Sequence, residues 1–221
     1  MRESRRTLKW LVFAAAVGVG VLVGTLVAVL TTSRSARPAT IVPSPTKPAA
    51  SWAARTKPAP DFRLHDQTGR LVSLGSLRGR TVILTFIDPV CRNLCPLEAK
   101  ILTSVEHRLP RAERPAIVSV SVNPWADKPT NFAADARKWH LSPAWRWALG
   151  TEKQLATVWR RYSVGVRVVT RTIAGVKLHT VEHTEASYLI DPTGYERALY
   201  LYPFAAADVA ATARRRAASP S

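Results

Sequence analysis

The chain has 221 residues, room for one domain of ordinary size and a further segment, and 47% hydrophobic against 21% charged residues exclude a generally disordered polypeptide. Its formal net charge of +17 does not mark a nucleic-acid binder. The basic residues are scattered, blocked only at Arg214-Arg215-Arg216, and no aromatic-interleaved basic motif occurs, so no nucleic-acid partner is expected and the surface suits anionic lipid or an acidic protein.

Residues 1–9 include Arg2, Arg5, Arg6 and Lys9 and read as a short cytoplasmic N-terminus. Residues 10–30, WLVFAAAVGVGVLVGTLVAVL, carry no charge. As a helix this run is roughly 31 Å long, matching the ~30 Å hydrocarbon core of a bilayer. It exceeds the ~7–15 apolar residues of a cleaved signal peptide, and the following TTSRSARPAT offers no convincing cleavage site. An uncleaved transmembrane anchor is expected. The basic flank keeps the N-terminus inside and puts the rest of the chain outside the cell membrane. Residues 31–60 hold six prolines and little apolar periodicity. They read as a tether reaching roughly 85 Å if fully extended and nearer 30 Å as a coil.

Residues 61–213 show the patterning of a folded domain. DFRLHDQTGRLVSL alternates about Gln67-Thr68-Gly69, the signature of an N-terminal hairpin. TVILTFI (81–87) is almost uniformly apolar or β-branched, as a strand buried on both faces is, and AIVSVSV (116–122) reads as a second buried strand. Between them Leu97, Ile101, Leu102, Val105 and Leu109 fall at helical spacing, with Pro96 suited to a first helical turn. TNFAADARKWH (130–140) reads as a helix and WRWALG (145–150) as a strand, with Trp145, Trp147 and Leu149 on one face as core. TEKQLATVWRRY (151–162) reads as a helix opened by a Thr151-x-x-Gln154 capping box. Three β segments follow, VGVRVV, ASYLIDP and ERALYLY, the last two turning at Asp191-Pro-Thr-Gly194, and then a helix FAAADVAATARRR; residues 214–221 read as a basic tail. Strands alternating with helices predict an α/β sandwich on a mostly parallel central sheet, with antiparallel strands added by the last hairpin.

Both cysteines lie in DPVCRNLCPLEAK, directly after the first buried strand and at the start of a helix. Helix N-terminal charge and the neighbouring Arg92 both favour thiolate there. A structural disulfide is a poor explanation. Closing a loop of ~5 residues is worth roughly 2 kcal/mol, against about 4.7 for one of 100 residues. The pair therefore reads as functional, for thiol–disulfide exchange or, with a third donor, for metal. Of the five histidines, His65, His107 and His140 read as solvated or capping, whereas His179 and His183 precede a strand in KLHTVEHTEASYLIDPTG. If 179–183 is extended, the two sit roughly 13 Å apart and one ion cannot reach both. That weighs against a four-ligand zinc site.

LTFIDPVCRNLCPLEAK resembles the Cys-x-x-x-Cys-Pro segment of the Sco/SenC family, and His183, five residues before Tyr188, stands where that family has its distal histidine. PDFRLHDQTGRLVSLGSLRGRTVILTF and SVNPWADKP are also similar, so the resemblance spans roughly residues 60–205. It implies a thioredoxin-like fold and copper held by Cys91, Cys95 and His183. It also implies a role in assembling the copper centre of cytochrome c oxidase, with an oxidase subunit or its assembly factors as partner. Thiol–disulfide exchange by Cys91 and Cys95 without metal is the alternative. The chain departs from the family pattern at Asp88-Pro89-Val90 before the first cysteine, at Arg92-Asn93 between the two, and at Asn123, where an Asp is common. Peroxidase chemistry is disfavoured, because the residue three before Cys91 is Asp88 rather than a threonine.

Overall fold

The computed structural model of the protein describes residues 47–217. The expected anchor at 10–30, most of the tether and the last four residues lie outside these. Among the described residues no helix is long and apolar enough to cross a membrane.

Among the described residues, ten strands and four α-helices follow in order. They are β1 (Ala50–Ser51), β2 (Leu64–His65), β3 (Leu71–Val72), β4 (Val82–Ile87), α1 (Leu94–His107), β5 (Ala116–Ser121), α2 (Pro129–Lys138), β6 (Arg146–Ala148), α3 (Glu152–Arg161), β7 (Val166–Ile173), β8 (Val176–His183), β9 (Ala186–Ile190), β10 (Glu196–Leu201) and α4 (Ala206–Ala217). Six strands form the central sheet in the order β1-β10-β9-β4-β5-β6.

Side chains of β4 alternate between the sheet's two faces. Val82, Leu84 and Phe86 pack on one side with α3 residues Leu155, Val158 and Trp159 and with the β2–β3 hairpin. Ile83 and Ile87 pack on the other with Ala99, Leu102 and Val105 of α1 and Val209, Ala210 and Ala213 of α4. Every residue of β4 and β5 is buried, which is why both read as largely apolar or β-branched runs broken only by small hydroxyl residues. Trp145 and Trp147, expected in the core, are each 2% exposed, and the Trp145 indole donates to Ser119 Oγ at 2.7 Å. The Thr151–Gln154 capping box is present in full at the start of α3.

The sheet is mixed, not mostly parallel. β4 pairs parallel with β5, and β5 with β6. β9 lies antiparallel to β4 and β10, and β10 antiparallel to β1. The physical reason is that the Asp191–Gly194 turn lays β9 and β10 down as a hairpin on the free edge of β4. Burial on both faces marks a strand without marking its direction. Asp191 Oδ1 fixes that turn by accepting from Thr193 N at 3.0 Å, Thr193 Oγ1 at 2.7 Å and Tyr195 N at 3.0 Å.

At the N-terminal end, the folded unit begins upstream of Pro60. Ala50 pairs with Leu199 and Ser51 with Ala198, and Lys57 Nζ lies 3.0 Å from Glu196 Oε2 and over the Trp52 ring. Two residues of strand are too short to show periodicity in a proline-rich segment. At the other end, Arg214 and Arg215, read as tail, belong to α4.

β7 and β8 stand outside the main sheet as a two-stranded antiparallel arm. Its two-residue turn places Ala174 (φ 48°) and Gly175 (φ 79°) in the left-handed region, the geometry that matches the natural twist of a hairpin. The arm places His183 at the mouth of the strand that enters the sheet as β9.

Candidate metal centre

The cysteine loop leaves the C-terminal end of β4. Asp88, 7% exposed, caps the turn: its Oδ1 accepts from Val90 N at 2.9 Å and from Asn123 Nδ2 at 3.1 Å. Helix α1 starts at Leu94, so Cys95 is helical, whereas Cys91 lies in the turn before the helix. Cys95 is fully buried and Cys91 half-buried, and both are free thiols. The Cys95 amide donates to Cys91 Sγ at 3.4 Å, so an unpaired helix N-terminal N–H does point at the first thiol.

Cys91 is lowered to about 6, chiefly because the Cys95 thiol donates a hydrogen bond to it, with the Asn93 and Cys95 amides adding to the effect against burial. Arg92 is not among the causes. Its guanidinium reaches Asp135 Oδ1 at 3.6 Å and the Cys91 carbonyl at 2.9 Å, not the sulfur. The sequence-based attribution to Arg92 is therefore corrected: a long flexible side chain followed a buried acid on α2. Cys95 is pushed up by the same hydrogen bond it donates, then by burial and by the Glu185 carboxyl. When protonated, Cys91 Sγ donates to Asn93 Oδ1 at 2.9 Å. A flip of that carboxamide turns the contact into a donor for the thiolate. Alkylation of Cys91 by iodoacetamide should therefore gain rate as pH rises through about 6, rather than through the about 8.5 of a free thiol. A pH–rate midpoint at or above about 8 would overturn this ordering of the two thiols.

His183 arrives from the end of β8, 88 residues after Cys95, with its Nε2 3.8 Å from Cys95 Sγ. Its Nδ1 lies 3.2 Å from the Thr184 carbonyl. A carbonyl can only accept, so Nδ1 carries the hydrogen and Nε2 presents a lone pair toward the cysteine. Burial lowers the His183 pKa and keeps the ring neutral. His183 Nε2 also lies 3.3 Å from Glu185 Oε1. Burial, and next the neighbouring Glu98 carboxyl, raise Glu185 to about 9. Both partners are thus driven toward neutrality, and the contact is a neutral hydrogen bond rather than an ion pair.

Cys95, His183 and Glu185 each place one donor atom within 4.8 Å of the other two, the grouping of this kind found among the described residues. Cys91 stands outside that trio, at the rim of an open pocket of about 620 Å³ that Asp88, Asn93, His179, His183 and Glu185 also line. His179 does not join the cluster. β8 is extended, and the His179 ring stacks on Trp125 (4.4 Å, 12°) while its Nδ1 meets Thr170 Oγ1 at 3.0 Å. His65, His107 and His140 are exposed.

Sequence reasoning missed Glu98 and Glu185. Glu98 is fully buried on the inner face of α1, its Oε1 accepting from Thr85 Oγ1 at 2.7 Å and Ser187 Oγ at 2.6 Å. A signal was present: Glu98 shares the helical stripe of Cys95, Ala99, Leu102 and Val105, where an acid is out of place.

A family model described as SCO1/SenC matches residues 52–218. Over 83 residues the chain is 35% identical to the SCO1 protein homolog of Bacillus subtilis (strain 168), a match covering 37% of this chain and 42% of that protein. The chain thus spans less than half the length of that relative. Among solved structures it is similar to yeast Sco1 with copper bound (TM-score 0.65, 18% identity, 75% of this chain and 91% of that one). It is similar also to BsSco, a member of the Sco family of cytochrome c oxidase assembly proteins in which a disulfide switch has been identified (TM-score 0.58, 22% identity, 80% and 99% covered). These likenesses place the α/β fold, with its mixed sheet, in the thioredoxin-type class of the Sco proteins. With the match running through the cysteine turn, the arm and the β9–β10 hairpin, the chain belongs to the SCO1/SenC family.

Proposed function

We propose that the chain is a membrane-tethered, extracytoplasmic copper-binding metallochaperone that assists assembly of a respiratory oxidase copper centre. Its cargo ion would be held by Cys91, Cys95 and His183. The observation that supports this reading best is the approach of the His183 Nε2 lone pair to within 3.8 Å of Cys95 Sγ across 88 residues of sequence. The donor set fits the ion: thiolates select Cu(I), and one imidazole lets the site also take Cu(II). Family membership and the copper in yeast Sco1 agree with that chemistry.

The chain's own residues prepare the exchange. Cys91, half-buried at the pocket rim and lowered to about 6, is the thiolate an incoming ion meets first. Cys95 holds its proton until the ion displaces it, so loading releases protons and strengthens as pH rises. His183 needs no deprotonation, because burial already keeps it neutral. Residues 10–30 would anchor the domain and 31–60 would let it reach a subunit in the same membrane.

The test is an anaerobic Cu(I) titration of the full chain in detergent, wild type beside His183→Ala. Near-stoichiometric binding by the wild type is expected, weakened at least about tenfold in the variant. Unchanged affinity and Cu(II) spectrum in His183→Ala would remove the histidine from the ligand set.

One observation favours a second reading. Two free thiols in hydrogen-bond contact, one of them acidic, are also the resting state of a dithiol that passes two electrons and two protons to a partner disulfide and closes its own S–S bond. Turnover on a disulfide substrate that ignores both copper chelators and His183→Ala would establish that activity instead.

A further inference from the structure

Glu98 and Glu185 bring two carboxyl groups into the protein beside Cys95, and the two are hydrogen-bonded to each other. Among the described residues no Lys or Arg forms an ion pair with either. The Glu98 side chain is wholly enclosed and held by Thr85 and Ser187, so it is fixed in place and backs Glu185. Glu185 Oε1 in turn faces the two donors already described, 3.3 Å from His183 Nε2 and 4.0 Å from Cys95 Sγ. One ion about 2.0–2.3 Å from each donor spans separations of this size. A mostly buried carboxyl with no cationic partner, its Oε1 facing both a thiol and an imidazole nitrogen, is a ligand position.

We propose that Glu185 is a copper ligand in its own right, giving Oε1 to the oxidised ion, and that it sets the preference of the site between Cu(II) and Cu(I). The inference rests on the copper reading above. Its chemical basis is donor hardness. The doubly charged ion displaces the Glu185 proton to the solvent and binds the anionic oxygen that results, whereas Cu(I) is satisfied by the soft sulfurs. Glu98 is a positioning residue: it buttresses the Glu185 carboxyl and stays off the metal.

The experiment compares the full chain in detergent with Glu185→Gln, which keeps the shape and removes the anionic donor. Cu(II) and Cu(I) affinities are measured separately by competition with chelators, and the Cu(II) form is examined by electron paramagnetic resonance. Cu(II) affinity is expected to fall about tenfold or more, with Cu(I) affinity unchanged within about twofold and altered copper hyperfine splitting. Each tenfold loss confined to Cu(II) raises the one-electron reduction potential of the bound copper by about 59 mV. Equal affinities and identical spectra in variant and wild type would overturn the assignment. A wild type that binds no copper at all would instead overturn the function it rests on. Should Glu185→Gln fail to fold, the wild type itself decides. With glutamate labelled by ¹³C at its side-chain carboxyl, pulsed resonance of the Cu(II) form should show strong ¹³C hyperfine coupling from a carboxyl carbon one bond beyond a copper-bound oxygen. A spectrum without that coupling excludes Glu185 as ligand.

Discussion

Copper recovered on the purified chain should fall from about one ion per molecule to background in Cys95→Ser, with affinity lowered at least about 100-fold. The substitution keeps the volume of a fully buried side chain and changes only its chemistry. A hydroxyl is hard and does not ionise here, whereas the thiolate it replaces is what selects Cu(I). The effect is expected to exceed that of Cys91→Ser because Cys95 is the hub of the cluster. Its sulfur lies 3.8 Å from His183 Nε2 and 4.0 Å from Glu185 Oε1, and its thiol donates to Cys91. Metal analysis after anaerobic loading and desalting reads the result directly. Cys95→Ser protein that carries copper at the wild-type level would sink the assignment of Cys95 as ligand.

Phe86→Ala should cost about 3–5 kcal/mol of stability, the range for truncating a fully buried aromatic side chain. Phe86 is fully buried near the end of β4, its ring 5.9 Å from that of Tyr162 and 6.4 Å, edge-on, from that of Tyr188. Truncation removes the transfer energy of the ring and leaves a cavity that three layers of packed structure cannot close. Phe86→Leu, which fills most of the space, should cost much less, below about 1.5 kcal/mol if the tyrosines repack. Urea unfolding followed by tryptophan fluorescence distinguishes these, with an unchanged slope against denaturant confirming that only stability moved. A loss under about 1 kcal/mol for the alanine variant would mean that the two tyrosines, not Phe86, organise this layer.

What could be read before folding follows from where each signal is encoded. β4 and β5 were legible because burial on both faces writes itself into the composition of a strand. The α3 cap was legible because its two hydrogen bonds are local to Thr151 and Gln154. β8 was not. Seven of its eight residues are exposed or polar, and among the described residues it pairs with β7 alone across a two-residue turn, so KLHTVEH has neither the run nor the clean alternation of a core strand. The direction of β9 was equally hidden, because antiparallel insertion between β4 and β10 depends on chain routing rather than residue type.

The candidate site divides the same way. Its cysteines announce themselves by spacing, and His183 came from the family resemblance. Glu185 had no sequence cue of its own, since its role depends on the buried Glu98 behind it. The cue of Arg92 beside Cys91 misled, because adjacency in sequence did not fix which way the guanidinium turned.

The 88-residue separation between Cys95 and His183 has a consequence for biogenesis. Two thiols four positions apart can meet as soon as the local turn forms, and by themselves make only a fragment of a site. The imidazole joins them after β9, a late strand in the sequence, has threaded between β4 and β10, a non-local closure that comes slowly in folding. A partly folded chain therefore lacks the assembled donor set, and Cys95, His183 and Glu185 come within 4.8 Å of one another only with the finished sheet.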